Sequence, residues 1–90
     1  LFRSIMESKA ELEKYWNSKV ESVLKGKTII EVFYMSEEDA ENHFGWYSRP
    51  VVMRLNDGTE LIISADDEGN DAGSLFYGTD EEPNGVLPTL

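Results

Sequence analysis

The residues between 66 and 71 have side chains of the kind that bind calcium. This stretch, DDEGND, places four carboxylates and one amide within six residues, and Ca²⁺ prefers hard oxygen ligands of this type. The spacing does not fit an EF-hand, because Leu75 stands where a glutamate is required six residues after Gly69. Two interpretations remain open: a solvated acidic turn that caps its own backbone amides, or a calcium site of another geometry. The ligands of that site would be Asp66, Asp67, Glu68, Asn70 and Asp71.

The second candidate site is the aromatic and basic segment WYSRP at residues 46–50. Trp, Tyr and Arg are the residue types that dominate binding hot spots, and an arginine also stacks on aromatic rings. We therefore predict a partner-binding surface that combines Trp46, Tyr47 and Arg49 with the acidic loop. In the alternative interpretation, Trp46 fills one end of the sheet or barrel and Arg49 pairs with the acidic loop.

Catalytic chemistry has little support in the sequence. His43 is the only histidine, and no nucleophile motif accompanies it. The acidic residues of the loop lie side by side, whereas acid–base catalysis by two carboxylates needs them in different environments. The chain has no cysteine, which excludes thiolate chemistry, and it has no Walker or GxGxxG motif. We expect a protein that is not an enzyme and has no cofactor, calcium at the acidic loop being the one alternative.

The charge is distributed unevenly along the chain. Residues 1–27 hold six basic and four acidic residues, a net charge of +2, whereas residues 28–90 hold two and fourteen, a net charge of −12. Because such a surface repels phosphate backbones, we expect no nucleic-acid binding. The same charge also permits a different function, that of an acidic DNA mimic that inhibits a nucleic-acid-binding protein. No apolar run is long enough to cross a membrane and no signal peptide is apparent, so we expect a cytoplasmic protein without membrane contact.

An amphipathic helix is predicted over residues 2–24 and ends at Gly26. Its apolar residues recur at helical spacing on one stripe, which Lys9 interrupts. The stripe either covers the chain's own sheet, or it binds a protein partner or a second copy, with Trp16 as the central residue. The residues on the stripe are Phe2, Ile5, Leu12, Trp16, Val20 and Val23.

The rest of the chain has the pattern of short strands. Residues 28–35 are β-branched and aromatic with apolar residues on both faces, which indicates a central strand. A short helical turn follows from Ser36 to about His43. Two further short strands are predicted near residues 74–77 and 86–88.

A β-hairpin is predicted over residues 51–64, around the sequence NDG at residues 56–58. A three-residue loop with Gly58 in the left-handed region pairs Met53 with Leu61 and Arg54 with Glu60, the latter pair on the outer face. Together these elements predict an α+β fold. It consists of an N-terminal amphipathic helix and a small, bent, mostly antiparallel sheet of four or five strands, for which a barrel-like form is one arrangement.

Five short motifs lie between residues 24 and 90: LKGKTI, SEEDAEN, GWYSRPVV, LNDGTEL and DDEGNDAG. Through them the chain resembles a family of small bacterial proteins of unknown function. The resemblance implies a compact β-rich domain and implies no activity. We expect one domain over residues 1–90, with the helix in 1–26 and the β-rich part in 27–90. Its expected function is that of a small acidic, non-catalytic protein-interaction domain.

Overall fold

Helix α1 (Lys9–Leu24) is the first element of the computed structural model, which describes residues 9–90. The helix ends where the glycine predicts. Gly26 has a φ of +76°, and the backbone N–H of Lys27 donates to the carbonyl oxygen of Leu24 at 3.2 Å. The part of the predicted helix from residue 2 to residue 8, with Phe2 and Ile5, lies outside the described residues.

Five strands follow α1 and form two antiparallel sheets. The predicted α+β class is confirmed, and there are five antiparallel strands where four or five were predicted. The strands divide between two sheets instead of forming one, and the described residues form no closed barrel. The first sheet contains β1 (Ile29–Tyr34), β2 (Val51–Leu55) and β3 (Glu60–Ile62), and the second contains β4 (Leu75–Tyr77) and β5 (Gly85–Leu87). Between β1 and β2 lie the short helix α2 (Glu37–Asp39) and a π-helical turn (Ala40–Phe44).

Strand β1 lies at the edge of its sheet, so the prediction of a central position is wrong. The strand order is β1–β2–β3, and β2 is the one neighbour of β1 among the described strands. An irregularity at Ile30 shifts the register, with Ile29 opposite Leu55 and Val32 opposite Met53. The bulge therefore places Ile29 on the same face as Val32. The apolar residues on the two faces of β1 are therefore exposed to solvent and are not covered on each side.

The predicted hairpin register is confirmed. Met53 lies opposite Leu61 and Arg54 opposite Glu60. Gly58 has a φ of +93° in the loop, as the three-residue turn requires. The guanidinium of Arg54 bonds the Glu60 carboxylate with an Nη2–Oε2 distance of 2.7 Å and also pairs with Glu31 of β1. These contacts raise the pKa of the Arg54 guanidinium, and the hydrogen bond with Glu60 has the largest effect.

The face that carries Arg54 and Glu60 is half-buried at Arg54 and exposed at Glu60. The next residue pair on the same face belongs to the core. Val52 and Ile62 are on the same face, two residues from Arg54 and Glu60. Both pack in the buried cluster, because the segment after β1 folds over this end of the sheet. The other members of the cluster are Met35, Ala40, Trp46 and Ala72.

The hairpin loop is bonded to the start of β1. The Lys27 ammonium lies 2.5 Å from the Asp57 carboxylate. Next to it, Thr28 N–H donates to the Asn56 side-chain oxygen, and Asn56 N–H donates to the Thr28 carbonyl oxygen. The hydrogen bond from Lys27, followed by that from the backbone N–H of Thr59, holds the pKa of the Asp57 carboxyl well below its usual range. Lys27 and Thr28, which lie between α1 and β1, are therefore each bonded to the hairpin loop.

The Asp57→Asn variant tests this contact through its pH dependence. Because the pKa of Asp57 is depressed in the folded state, its stabilising contribution is present above the unfolded pKa of about 3.9 and is lost as the pH falls toward the folded pKa. We expect the wild type to be more stable than Asp57→Asn at pH 7, and the difference in urea midpoint to shrink below about pH 4. Asp80→Asn, at an exposed position between β4 and β5, is the control. A difference in urea midpoint between wild type and Asp57→Asn that is the same at pH 7 and pH 2.5 would contradict this role of the ionised Asp57 carboxylate.

Candidate functional site

The indole of Trp46 is positioned by the end of the π-helical turn. Gly45 closes the turn with a φ of +68°, and its N–H donates to the Glu41 carbonyl oxygen. The N–H of Trp46 then donates to the Ala40 carbonyl oxygen at 2.9 Å. These bonds turn the indole inward, where 6% of Trp46 remains exposed and its ring packs against Phe44. Trp46 is therefore part of the core, as predicted by the alternative interpretation in which it fills one end of the sheet.

Two hydrogen bonds join the segment 46–48 to the acidic loop. The Trp46 indole N–H donates to the carbonyl oxygen of Gly69 at 2.7 Å. The backbone N–H of Ser48 donates to Oδ1 of Asp71 at 3.3 Å. The two regions that the sequence suggested as parts of one surface are therefore in direct contact.

The acidic loop is closed by its own hydrogen bonds. Oδ1 of Asp66 accepts the backbone N–H groups of Glu68 and Asn70, and Oδ2 accepts the Asn70 side-chain amide at 2.8 Å. The bonds from Asn70 are the main reason why the pKa of the Asp66 carboxyl is lowered. Asp66 therefore acts as the internal support of the loop.

The base of the loop is narrow. Ser64 pairs with Ala72 across it, and Gly73 N–H donates to the Ile63 carbonyl oxygen at 2.9 Å. A Cβ atom on Gly73 would lie 2.7 Å from the Ser64 carbonyl oxygen, so this position requires glycine. The loop thus leaves the sheet and returns to it at one point, which fixes its position relative to Trp46.

The predicted calcium ligands are not arranged around a common point. Asp66 uses both of its oxygens within the loop, and Oδ1 of Asp71 accepts the N–H groups of Ser48 and Ala72. The described residues contain no group of three or more His, Cys, Asp or Glu side chains placed to hold a metal ion. The calcium site through Asp67, Glu68 and their neighbours stays a prediction.

A surface cavity of about 370 Å³ lies beside the joined segments. Tyr47 is 97% exposed at its border. Trp46, Tyr47 and Arg49, the three residues predicted to form a partner-binding surface, all line this cavity, so the structure brings them together. The complete lining consists of Glu37, Ala40, Glu41, Gly45, Trp46, Tyr47 and Arg49.

Arg49 does not pair with the acidic loop. Its Nε–H donates to the Met35 carbonyl oxygen at 2.7 Å, and its backbone exchanges two hydrogen bonds with Leu90. No ion pair joins Arg49 to an acidic residue within residues 9–90. Its guanidinium is therefore held in place by a neutral carbonyl group and contributes an unpaired positive charge to the cavity.

The remaining candidate residues lie elsewhere. Trp16 is on α1, is 54% exposed and does not line the cavity. His43 lies with Nδ1 3.7 Å from Oδ1 of Asp39, at the surface. Sequence reasoning missed Glu37 and Glu41 as cavity residues. Their spacing of four residues in a helical segment that ends just before Trp46 was the available signal.

Comparison with known proteins gives no relative for this chain: no protein-family model, curated protein or solved structure matches it. The resemblance to a bacterial family therefore stays a prediction. Among the described helices, none combines the length and the apolar character needed to cross a membrane.

Trp46→Phe tests whether the indole bond holds the acidic loop. Phenylalanine keeps an aromatic ring in the core but cannot donate to Gly69. We expect faster amide hydrogen exchange throughout residues 66–71. We also expect a loss of more than about 1 kcal/mol in the free energy of unfolding, because the cost of the smaller ring in the core adds to the net contribution of one hydrogen bond. Trp16→Phe on α1 is the matched control and should leave loop exchange unchanged. Equal loop exchange in Trp46→Phe and wild type would refute the role of the indole.

Proposed function

We propose that this chain is a small acidic, non-catalytic protein-interaction domain. The observation that carries the proposal is the position of Tyr47. Its side chain is 97% exposed, although both of its sequence neighbours are held by hydrogen bonds to the acidic loop. An almost fully exposed aromatic side chain on a fixed backbone matches the residue type and preorganisation of a binding hot spot.

The fixed backbone matters for affinity. Binding normally costs the free energy of ordering the side chains and loops at an interface. Here the segment around Tyr47 and the acidic loop are already bonded to each other before any partner binds. A partner therefore meets an ordered surface, and less of its binding free energy is spent on ordering the loop.

The charges around Tyr47 are acidic on balance, because the carboxylates outnumber the guanidinium of Arg49, and they favour a cationic partner. Glu37 and Glu41 line the adjoining cavity, and Asp67 and Glu68 are exposed on the attached loop. A Lys or Arg side chain of a partner would meet these carboxylates and the face of the tyrosine ring together. The proposed partner is thus a protein with a basic segment, and its binding should weaken as salt is added.

The other functions predicted from the sequence lack a specific observation in their favour. A calcium-binding module would need ligands that converge, and an acidic DNA mimic rests on the charge of −10. The same charge argues against nucleic acid as the partner. A cytoplasmic location stays a prediction.

Self-association through α1 has independent support, because none of the helix side chains is buried. We therefore include α1 in the proposal as an association surface.

Tyr47→Ala is the direct test of the partner surface. We expect wild-type protein, coupled to a resin, to retain one or more basic proteins from a bacterial lysate at low salt. Tyr47→Ala should bind them on the order of 30-fold more weakly, because truncating a hot-spot residue costs about 2 kcal/mol or more. The amounts retained are compared by quantitative mass spectrometry.

Phe76→Ala is the matched control, because Phe76 is another exposed aromatic residue, 76% accessible, and lies on β4 away from the cavity. It should retain the same proteins as the wild type. Identical sets and amounts on the wild-type and Tyr47→Ala resins would show that Tyr47 is not a binding residue, and the proposal would fail.

A further inference from the structure

Helix α1 exposes the apolar residues of its stripe between Leu12 and Val20, and Val23 is half-buried. Within the described residues, none of its side chains is buried, and Trp16 and Val20 are each more than half exposed. A helix of 16 residues is marginal in water by itself, and most helical stability in proteins comes from packing of the apolar face. The stripe therefore calls for a covering surface, which residues 9–90 of the same chain do not supply.

The dimensions of the chain lead to the same conclusion. Its radius of gyration is 15.9 Å, whereas a compact domain of this length has about 12 Å. Its accessible surface is 7191 Å², compared with about 5,300 Å² for a compact monomer of 10.2 kDa. The excess of about 1,900 Å² is more than the roughly 800 Å² that each partner buries in a standard interface. The surface available is sufficient for a stable dimer.

Strand β1 supplies a surface of matching chemistry. Ile29, Ile30 and Val32 are each more than half exposed on it. The bulge at Ile30 disturbs the outer edge of the strand and disfavours pairing with another strand. An exposed aliphatic sheet surface of this kind is usually covered by an amphipathic helix, as in other α+β folds.

The connection between α1 and β1 holds the helix away from its own strand. Residues 25–28 are the whole connection. Gly26 is fixed in the left-handed region, Lys27 is paired with Asp57, and Thr28 exchanges two hydrogen bonds with Asn56. With the connection held in this way, α1 makes no extended contact with β1 of its own chain, so the exposed face of β1 is open to a helix from a second copy.

Pairing of two α1 helices along their stripes is less favourable than helix-on-sheet packing. Lys9 interrupts the stripe, and Lys19 lies at its border, one turn after Trp16. Two stripes packed together would bring the lysines of both copies into one apolar seam. The body of a second copy, residues 28–90, instead carries a charge of −12 toward which these lysines can extend.

We propose that two copies of this chain form a reciprocal dimer in which α1 of each copy covers the exposed face of β1 of the other. This inference rests on the part of the proposed function that assigns association to α1, and it names the surface that α1 binds. The arrangement has two-fold symmetry, so both apolar surfaces of both copies are covered and the assembly is closed.

Mass and crosslinking measurements test the dimer. Light scattering should give twice 10.2 kDa for the wild type, and Trp16→Glu and Val32→Glu should each give the monomer mass, while Phe76→Glu remains a dimer. The chain has no cysteine, so single cysteines can be introduced without background. A mixture of Val20→Cys and Val32→Cys chains should crosslink through a bismaleimide several-fold faster than either variant with itself.

Each alternative gives a different result. Faster crosslinking of Val20→Cys with itself would establish helix–helix pairing, and an intramolecular crosslink in a chain with both cysteines would establish packing in cis. Either result, or a wild-type monomer at all concentrations, would overturn the proposal.

Tyr47→Ala should remain a dimer. A monomer that still binds its partner through Tyr47 would refute the dimer alone, and a dimer with no Tyr47-dependent partner would refute the partner surface alone.

Discussion

The hydrogen bond from the Trp46 indole to the Gly69 carbonyl oxygen is the contact on which the candidate site depends. It joins a buried core residue to an exposed acidic loop, 23 residues apart in sequence. The indole must be buried to hold the sheet, and its N–H then needs an acceptor, because an unpaired buried donor is costly. The Gly69 carbonyl meets this need. The loop is therefore kept in place by a side chain that belongs to the same buried cluster as Val52 and Met35.

The division of charge along the chain relates the two proposed surfaces. The acidic body repels other acidic molecules and attracts cationic ones, which suits a basic partner at Tyr47. The N-terminal part is weakly basic and exposes an apolar stripe, so it can approach the body of a second copy. The two surfaces use different residues and different physical forces, apolar burial at α1 and electrostatic attraction at the cavity. They can therefore act independently, with two partner sites on one dimer.

Features with a local cause could be predicted from the sequence. The hairpin register follows from the glycine in the loop and from the Arg54–Glu60 pair, both readable within ten residues. The end of α1 at Gly26 has a similarly local cause. The edge position of β1 could not be predicted, because a strand with apolar residues on both faces has the same sequence pattern whether those faces are covered or exposed to solvent. The contact between Trp46 and Gly69 joins distant residues without any periodic pattern, so only the tendency of these residue types to bind partners was visible.

The central claim is that the acidic loop is an ordered part of the domain, held by Trp46 beside Tyr47. ¹⁵N relaxation of the wild-type protein tests this claim most directly, because it measures backbone order at each residue on the picosecond-to-nanosecond timescale. We expect order parameters for residues 66–71 near the value of about 0.85 that is typical of rigid backbone. Values below about 0.6 in this loop, with rigid strands on either side, would show a flexible acidic tether and would contradict the account.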